Sequence, residues 1–242
     1  ATSARAATAM LSTDALDLLT RGDVIVKGRM PWASNVTLLA EVTLDSRCAR
    51  AIYKPERGER PLWDFPPGLY KRELAAYLFS EALGWGLVPP TIVREGPHGE
   101  GSFQLFIEAK FEQHWFTLRE DTRHRERLQK ICVWDFVANN ADRKSGHCLL
   151  GPDNLIYGID NGLTFHTEMK LRTVIWDYAG EPIPKGMLED LKRFVKDGLS
   201  EPLAELLDAH EQQALRVRAQ ALADYARFPE DRSGHRYPWP LV

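Results

Sequence analysis

The sequence predicts an α+β fold in two parts, a small β-rich one up to about Ile107 and a mainly helical one after it. Three observations carry this. Alternating, β-branched runs fill the chain from Asp23 to Lys54 and return between Val88 and Ala109. Apolar residues recur at helical spacing over Leu128–Val137, Met187–Val195 and Leu203–Tyr225. Between these helical stretches, Cys148–Leu150 and Leu155–Ile159 flank the turn signal Gly151-Pro152-Asp153-Asn154, a hairpin with charge at both feet.

Length and composition set the outer limits. A chain of 242 residues suits one two-lobed enzyme domain, divided as a disordered leader over 1–12, a first lobe over 13–107 and a second over 108–242. With 44% hydrophobic and 27% charged residues it buries an ordinary core, and a net charge of −3 gives no reason to expect a nucleic-acid partner. No apolar run approaches the roughly eighteen residues of a membrane span. Cys48, Cys132 and Cys148 are odd in number and lack CxxC spacing, which suits reduced core thiols in a cytoplasmic protein. The Ala-rich opening has no apolar core segment and is read as a leader without structure, not a signal peptide. Oligomeric state is not legible.

In chain order, Thr13–Thr20 is a short capped helix ending near Gly22. Asp23–Gly28, Val36–Val42 and Arg47–Lys54 form a three-strand meander, with Arg29–Asn35 as its first loop. The charged, proline-rich stretch Glu56–Leu69 is a loop. Tyr70–Leu83 is a helix stopped by Gly84, with Glu73 in its first turn at the border of the apolar face. Val88–Arg94 and Gly101–Ala109 make a second hairpin. Leu128–Val137 is a buried helix ended by Asn139 and Asn140, and it delivers the chain to Asp142-Arg143-Lys144-Ser145-Gly146-His147. Because the following hairpin turns at Pro152-Asp153, His147 and Asp160 are expected at the same end, where they can share a cation. Leu163–Pro184 follows as the segment expected to face the substrate, its Lys170 and Arg172 able to receive an anionic group or simply solvated, and Phe228–Val242 is expected to run extended along the surface.

The order Asp142, His147 five residues on, then Asp160-Asn161-Gly162 resembles a kinase catalytic loop and its metal-binding segment, an Asp, an Asn five on, then Asp-Phe-Gly. The strand end Ala51-Ile52-Tyr53-Lys54 likewise resembles the Val-Ala-Ile-Lys pattern. The loop opening Asp-Arg is most similar to the atypical kinases of the phosphoinositide 3-/4-kinase-like superfamily, which includes bacterial HipA-type kinases. His147 stands where that family has Asn, and the first loop lacks the protein-kinase glycine fingerprint.

The resemblance implies a bilobal protein-kinase-like fold and ATP-dependent phosphoryl transfer with Mg²⁺ or Mn²⁺. It implies that Asp142 orients or deprotonates the acceptor hydroxyl and that Lys144 adds charge near the γ-phosphate. His147 and Asp160 would hold the cation, Lys54 aligned by Glu73 would hold the phosphates, and Ser34 would lie near a phosphate. The backbone of Phe106, Ile107 and Glu108 would meet the adenine edge. It leaves the acceptor open among lipid headgroups, proteins and small molecules. Two other classes compete: a nucleotide-binding pseudokinase, for which the His147 substitution argues, and a metal-dependent hydrolase with Asp142, His147, Asp160 and His166 as ligands.

Overall fold

The architecture comes from a computed structural model that describes residues 2–31 and 35–242, with side chains from Ser12 onward. Helix α1 runs Thr2–Arg21, so the stretch read as a disordered leader is, from Thr2 on, the first part of the helix expected at Thr13–Thr20. The reason is local: that stretch is rich in alanine, the strongest helix former, and holds neither glycine nor proline. At the other end Arg94 donates to the carbonyls of Leu19, Thr20 and Gly22 at 2.9, 2.7 and 2.8 Å. A cation on those last carbonyls also complements the helix dipole.

Five strands follow: β1 Asp23–Arg29, β2 Leu38–Leu44, β3 Arg47–Pro55, β4 Thr91–Gly96 and β5 Gly99–Leu105. They form one antiparallel sheet in the order β1-β2-β3-β5-β4. The meander and the second hairpin are therefore a single layer, joined where β5 lies along β3 with Lys54 opposite Ser102. Strand β4 starts at Thr91 instead of Val88 because Pro89 and Pro90 have no N–H to give a ladder. Strand β5 stops at Leu105, and the Phe106 N–H turns to the Arg50 carbonyl at 3.0 Å. Period-two alternation puts Leu38, Ala40, Val42, Ala51, Tyr53 and Phe103 on one buried face, packed against Leu18 and Leu19 of α1. Gly101 is required at the crossing, since a Cβ there would collide with the Lys54 carbonyl oxygen.

The chain divides into two compact units, Ala1–Leu74 with Pro89–Phe106, and Ala75–Val88 with Ile107–Val242. The sequence suggested one boundary after Ile107. Residues 75–88 fall instead in the second unit, and the division passes through α2, Leu69–Ala82. Phe79 on α2 explains why: its ring meets Trp134, Phe165 and Phe194, all in that unit, at 6.0, 6.1 and 5.0 Å.

The second unit adds α3 Trp115–Leu118, α4 Arg125–Ala138, the ribbon of β6 Cys148–Leu150 and β7 Ile156–Gly158, then α5 Lys185–Asp197, α6 Glu201–Ala204 and α7 Ala209–Tyr225. The single periodic run expected over Leu203–Tyr225 is two helices. Asp208 breaks it by capping α7, accepting from the N–H groups of His210 and Glu211 at 2.8 and 2.9 Å. Cys132 and Cys148 are buried free thiols, whereas Cys48, expected in the core, is exposed on β3. No helix among the described residues is long and apolar enough to cross a membrane.

Candidate active site

Helix α4 ends where the asparagines predict. Asn139 adopts the left-handed conformation, φ 57°, which Asn tolerates better than most residues, and closes the helix with bonds to Asp135 and Phe136 carbonyls. Asn140 then accepts the Asp142 N–H on its side-chain oxygen at 3.0 Å, a local turn that ends the run of helical bonds.

Asp142 is half-buried and pairs with Lys144 at 3.2 Å. Burial raises the Asp142 carboxyl above its usual range, Lys144 pulls it back, and the Asp160 charge adds to the rise. His147 caps the loop from within. Its Nδ1 lies 2.9 Å from the Asp142 carbonyl oxygen and 3.3 Å from the Lys144 N–H. One tautomer cannot make both contacts; the tautomer that makes the shorter one carries its proton on Nδ1, donates to the Asp142 carbonyl and keeps a lone pair on Nε2. That Nε2 is 3.5 Å from Asp160 Oδ2.

The ribbon brings them together: Cys148 pairs with Gly158, and the Ile159 N–H donates to the His147 carbonyl at 3.0 Å. Asp160 itself has φ 57°. A nitrogen and a carboxylate oxygen so placed fit two positions on one divalent cation, and oxygens from phosphate or water would complete its shell. Among the described residues no group of three or more His, Cys, Asp and Glu comes together, so the four-ligand arrangement with His166 that the hydrolase reading needs is not formed.

In the first unit Lys54 and Glu73 form an ion pair, Lys54 at the end of β3 and Glu73 one turn into α2. The start of α2 is pinned by Glu59, whose carboxylate accepts the N–H groups of Gly68 and Tyr70 at 2.9 and 2.7 Å. Phe106 and Ile107 are half-buried and Glu108 is exposed. Phe106 spends its N–H on Arg50 and its ring on the Arg50 guanidinium, 4.5 Å away. Ser34 lies outside the described residues, as do Trp32 and Ala33.

No family model matches the chain. Over 269 aligned positions, covering 95% of this chain and 96% of the relative, it is 42% identical to Protein Rv2133c of Mycobacterium tuberculosis. The chain belongs to the Rv2133c family. Among solved structures it is similar to hydra Fam20, determined with sugar, with a TM-score of 0.53 and 13% identity over 87% of this chain and 86% of that one. It is also similar to the Helicobacter pylori proinflammatory kinase CtkA, with a TM-score of 0.50 and 10% identity over 86% and 93%. Both have kinase-like folds, and the α+β fold of this Rv2133c-family chain is kinase-like too.

What sequence reasoning missed in this Rv2133c relative is the group beneath the loop. Arg143 is 1% exposed and Asp135 fully buried. Arg143 Nε lies 3.0 Å from both Asp135 oxygens, Nη2 donates to Asp135 Oδ1 at 2.9 Å and to Asn161 Oδ1 at 2.7 Å, and Nη1 donates to the Ile159 carbonyl at 2.8 Å. Burial works against the Arg143 charge, yet the Asp135 carboxylate more than restores it, and its pKa is raised. Main-chain bonds extend the hold, from the Arg143 N–H to the Arg172 carbonyl at 3.0 Å and from the Val174 N–H to the Arg143 carbonyl at 3.1 Å. One side chain thus ties α4, the Asp142–His147 loop and the Asp160 segment, and its backbone ties Leu163–Pro184. The available signal was Asp135 standing inside the apolar helix run Ile131–Val137.

Proposed function

We propose that this Rv2133c-family protein is an ATP-dependent phosphotransferase of the atypical, phosphoinositide-kinase-like type, moving the γ-phosphoryl group to a hydroxyl acceptor. The observation that carries the reading is the Lys54–Glu73 ion pair on a kinase-like fold, in a chain that also sets Asp142, Lys144, His147 and Asp160 on one short loop and its neighbouring ribbon. In this reading Lys54, aligned by Glu73, holds the nucleotide phosphates. Asp142, half-buried and with a raised carboxyl, orients the acceptor hydroxyl and takes its proton. Lys144 holds the Asp142 carboxylate in place and adds positive charge beside it. His147 and Asp160 hold Mg²⁺ or Mn²⁺, which when bound neutralises phosphate charge.

The acceptor class stays open among a lipid headgroup, a protein and a small molecule. A pseudokinase that binds nucleotide without turnover is the second reading, favoured by His147 at the Asn position. The test separates them: thermal stability with ATP and Mn²⁺, each alone and together, followed by ADP release. Stabilisation by the pair with steady ADP release supports the transferase, and stabilisation without release supports the pseudokinase. No stabilisation by ATP with either Mg²⁺ or Mn²⁺ overturns both.

A further inference from the structure

The face of the second unit built from α4, α7 and the tail takes no part in the reading above. There Phe136 and Leu222 form the apolar floor, and the exposed Tyr225 one wall, of a half-open cavity of about 340 Å³ also lined by Glu230, Arg232 and Arg236. That volume falls at the small end of ligand sites, which run from roughly 300 to 1,000 Å³.

Charge at the rim is uneven. Glu230 and Arg232 answer each other at 3.4 Å. The Arg236 side chain is half-buried, and among the described residues it makes no ion pair, hydrogen bond or ring contact. Its backbone is nonetheless firmly placed. The Arg236 N–H donates to Asp231 Oδ2 at 2.9 Å, and its carbonyl accepts from the Thr173 N–H at 3.0 Å and the Trp176 indole at 3.3 Å. A guanidinium does not shed its proton, so a half-buried one over an apolar floor draws an anion. Asp231 spends its carboxylate on the N–H groups of Ser233 and Arg236 and on the Ser233 hydroxyl, so among the described residues the planar fork of Arg236 has no carboxylate on it and matches one from a ligand, and the floor beside it matches an apolar body.

We propose that this cavity binds a small carboxylate with an aromatic or short acyl body, the carboxylate on Arg236 and the body on Phe136, Leu222 and Tyr225. The site is independent of nucleotide, so its test does not depend on the transferase reading. Isothermal titration of the full chain with 4-phenylbutyrate, 4-phenylbutan-1-ol and acetate separates charge from body. The expected result is saturable one-site binding of 4-phenylbutyrate, at least about tenfold weaker binding of the alcohol, and weaker binding still of acetate. Arg236→Gln, which leaves the backbone bonds of residue 236 in place, is expected to lose about tenfold for the acid and nothing for the alcohol. Ala221→Trp, at an exposed position on the cavity wall, is expected to block the acid with an unchanged melting temperature. Equal affinity for acid and alcohol, no saturable binding of the acid, or wild-type affinity in Arg236→Gln each overturns the proposal.

Discussion

Two ion pairs of similar chemistry are built differently. Arg143 and Asp135 are sealed, with side chains 1% and 0% exposed, and five hydrogen bonds run from one guanidinium to Asp135, Asn161 and Ile159. Lys54 and Glu73 are lopsided, the Glu73 side chain 3% exposed and the Lys54 side chain 21%. A planar guanidinium surrounded by acceptors has its direction fixed and serves the fold. A lysine side chain left partly in reach of solvent, and paired with a buried carboxylate, is not sealed in the same way. Burial and hydrogen-bond satisfaction, more than the pairing of opposite charges, distinguish the two pairs.

The largest expected effect belongs to the sealed pair. Removing one partner strands a buried charge, and Arg143→Met is expected to cost about 3–5 kcal/mol in urea unfolding. Adding Asp135→Leu should recover much of that loss, because the stranded carboxylate is then gone. A single variant as stable as wild type would erase the contrast between the two pairs.

Next is the loop that the sealed pair holds. Asp142→Asn is expected to lower ATP turnover by roughly 10² to 10⁴ while nucleotide affinity measured by titration stays within a few fold. Burial raises the Asp142 carboxyl and Lys144 opposes the rise. A base must be ionised to act, so turnover should fall as pH drops through a point above the ordinary carboxylate range. Lys144→Met removes the opposing charge and is expected to move that acid limb to higher pH. A limb that stays put in this variant would detach Lys144 from Asp142.

Lys54→Met tests the lopsided pair directly. It keeps the stem and deletes the charge, and is expected to raise the KM for ATP or lower kcat by about tenfold or more. If the variant only melts earlier and turns over ATP normally, Lys54–Glu73 is scaffold after all and the comparison fails. The smallest effect lies at His147. An imidazole nitrogen favours Mn²⁺ over Mg²⁺ relative to an amide oxygen, so activity should be higher with Mn²⁺, and His147→Asn should narrow that preference severalfold. An unchanged metal ratio in the variant would mean that Nε2 is not a ligand.

Signals confined to a few neighbouring residues were legible from the chain alone. Asn139 stops α4 because it tolerates the left-handed conformation there, and the turn at Gly151–Asn154 brings His147 and Asp160 together because a tight hairpin leaves no other choice of register. The pairing of Lys54 with Glu73 is legible too, since a lysine ending a buried strand calls for a carboxylate on the next helix. Tertiary structure alone decided the rest. That β5 lies along β3, that residues 75–88 join the second unit through Phe79, and that Arg143 turns inward to Asp135 and Asn161 depend on which of many competing partners wins. Periodicity and turn chemistry act over one or two helical turns. Partner choice for a buried charge or a strand edge is settled by exclusion of water and by packing summed over the whole fold, and no short stretch of sequence holds that sum.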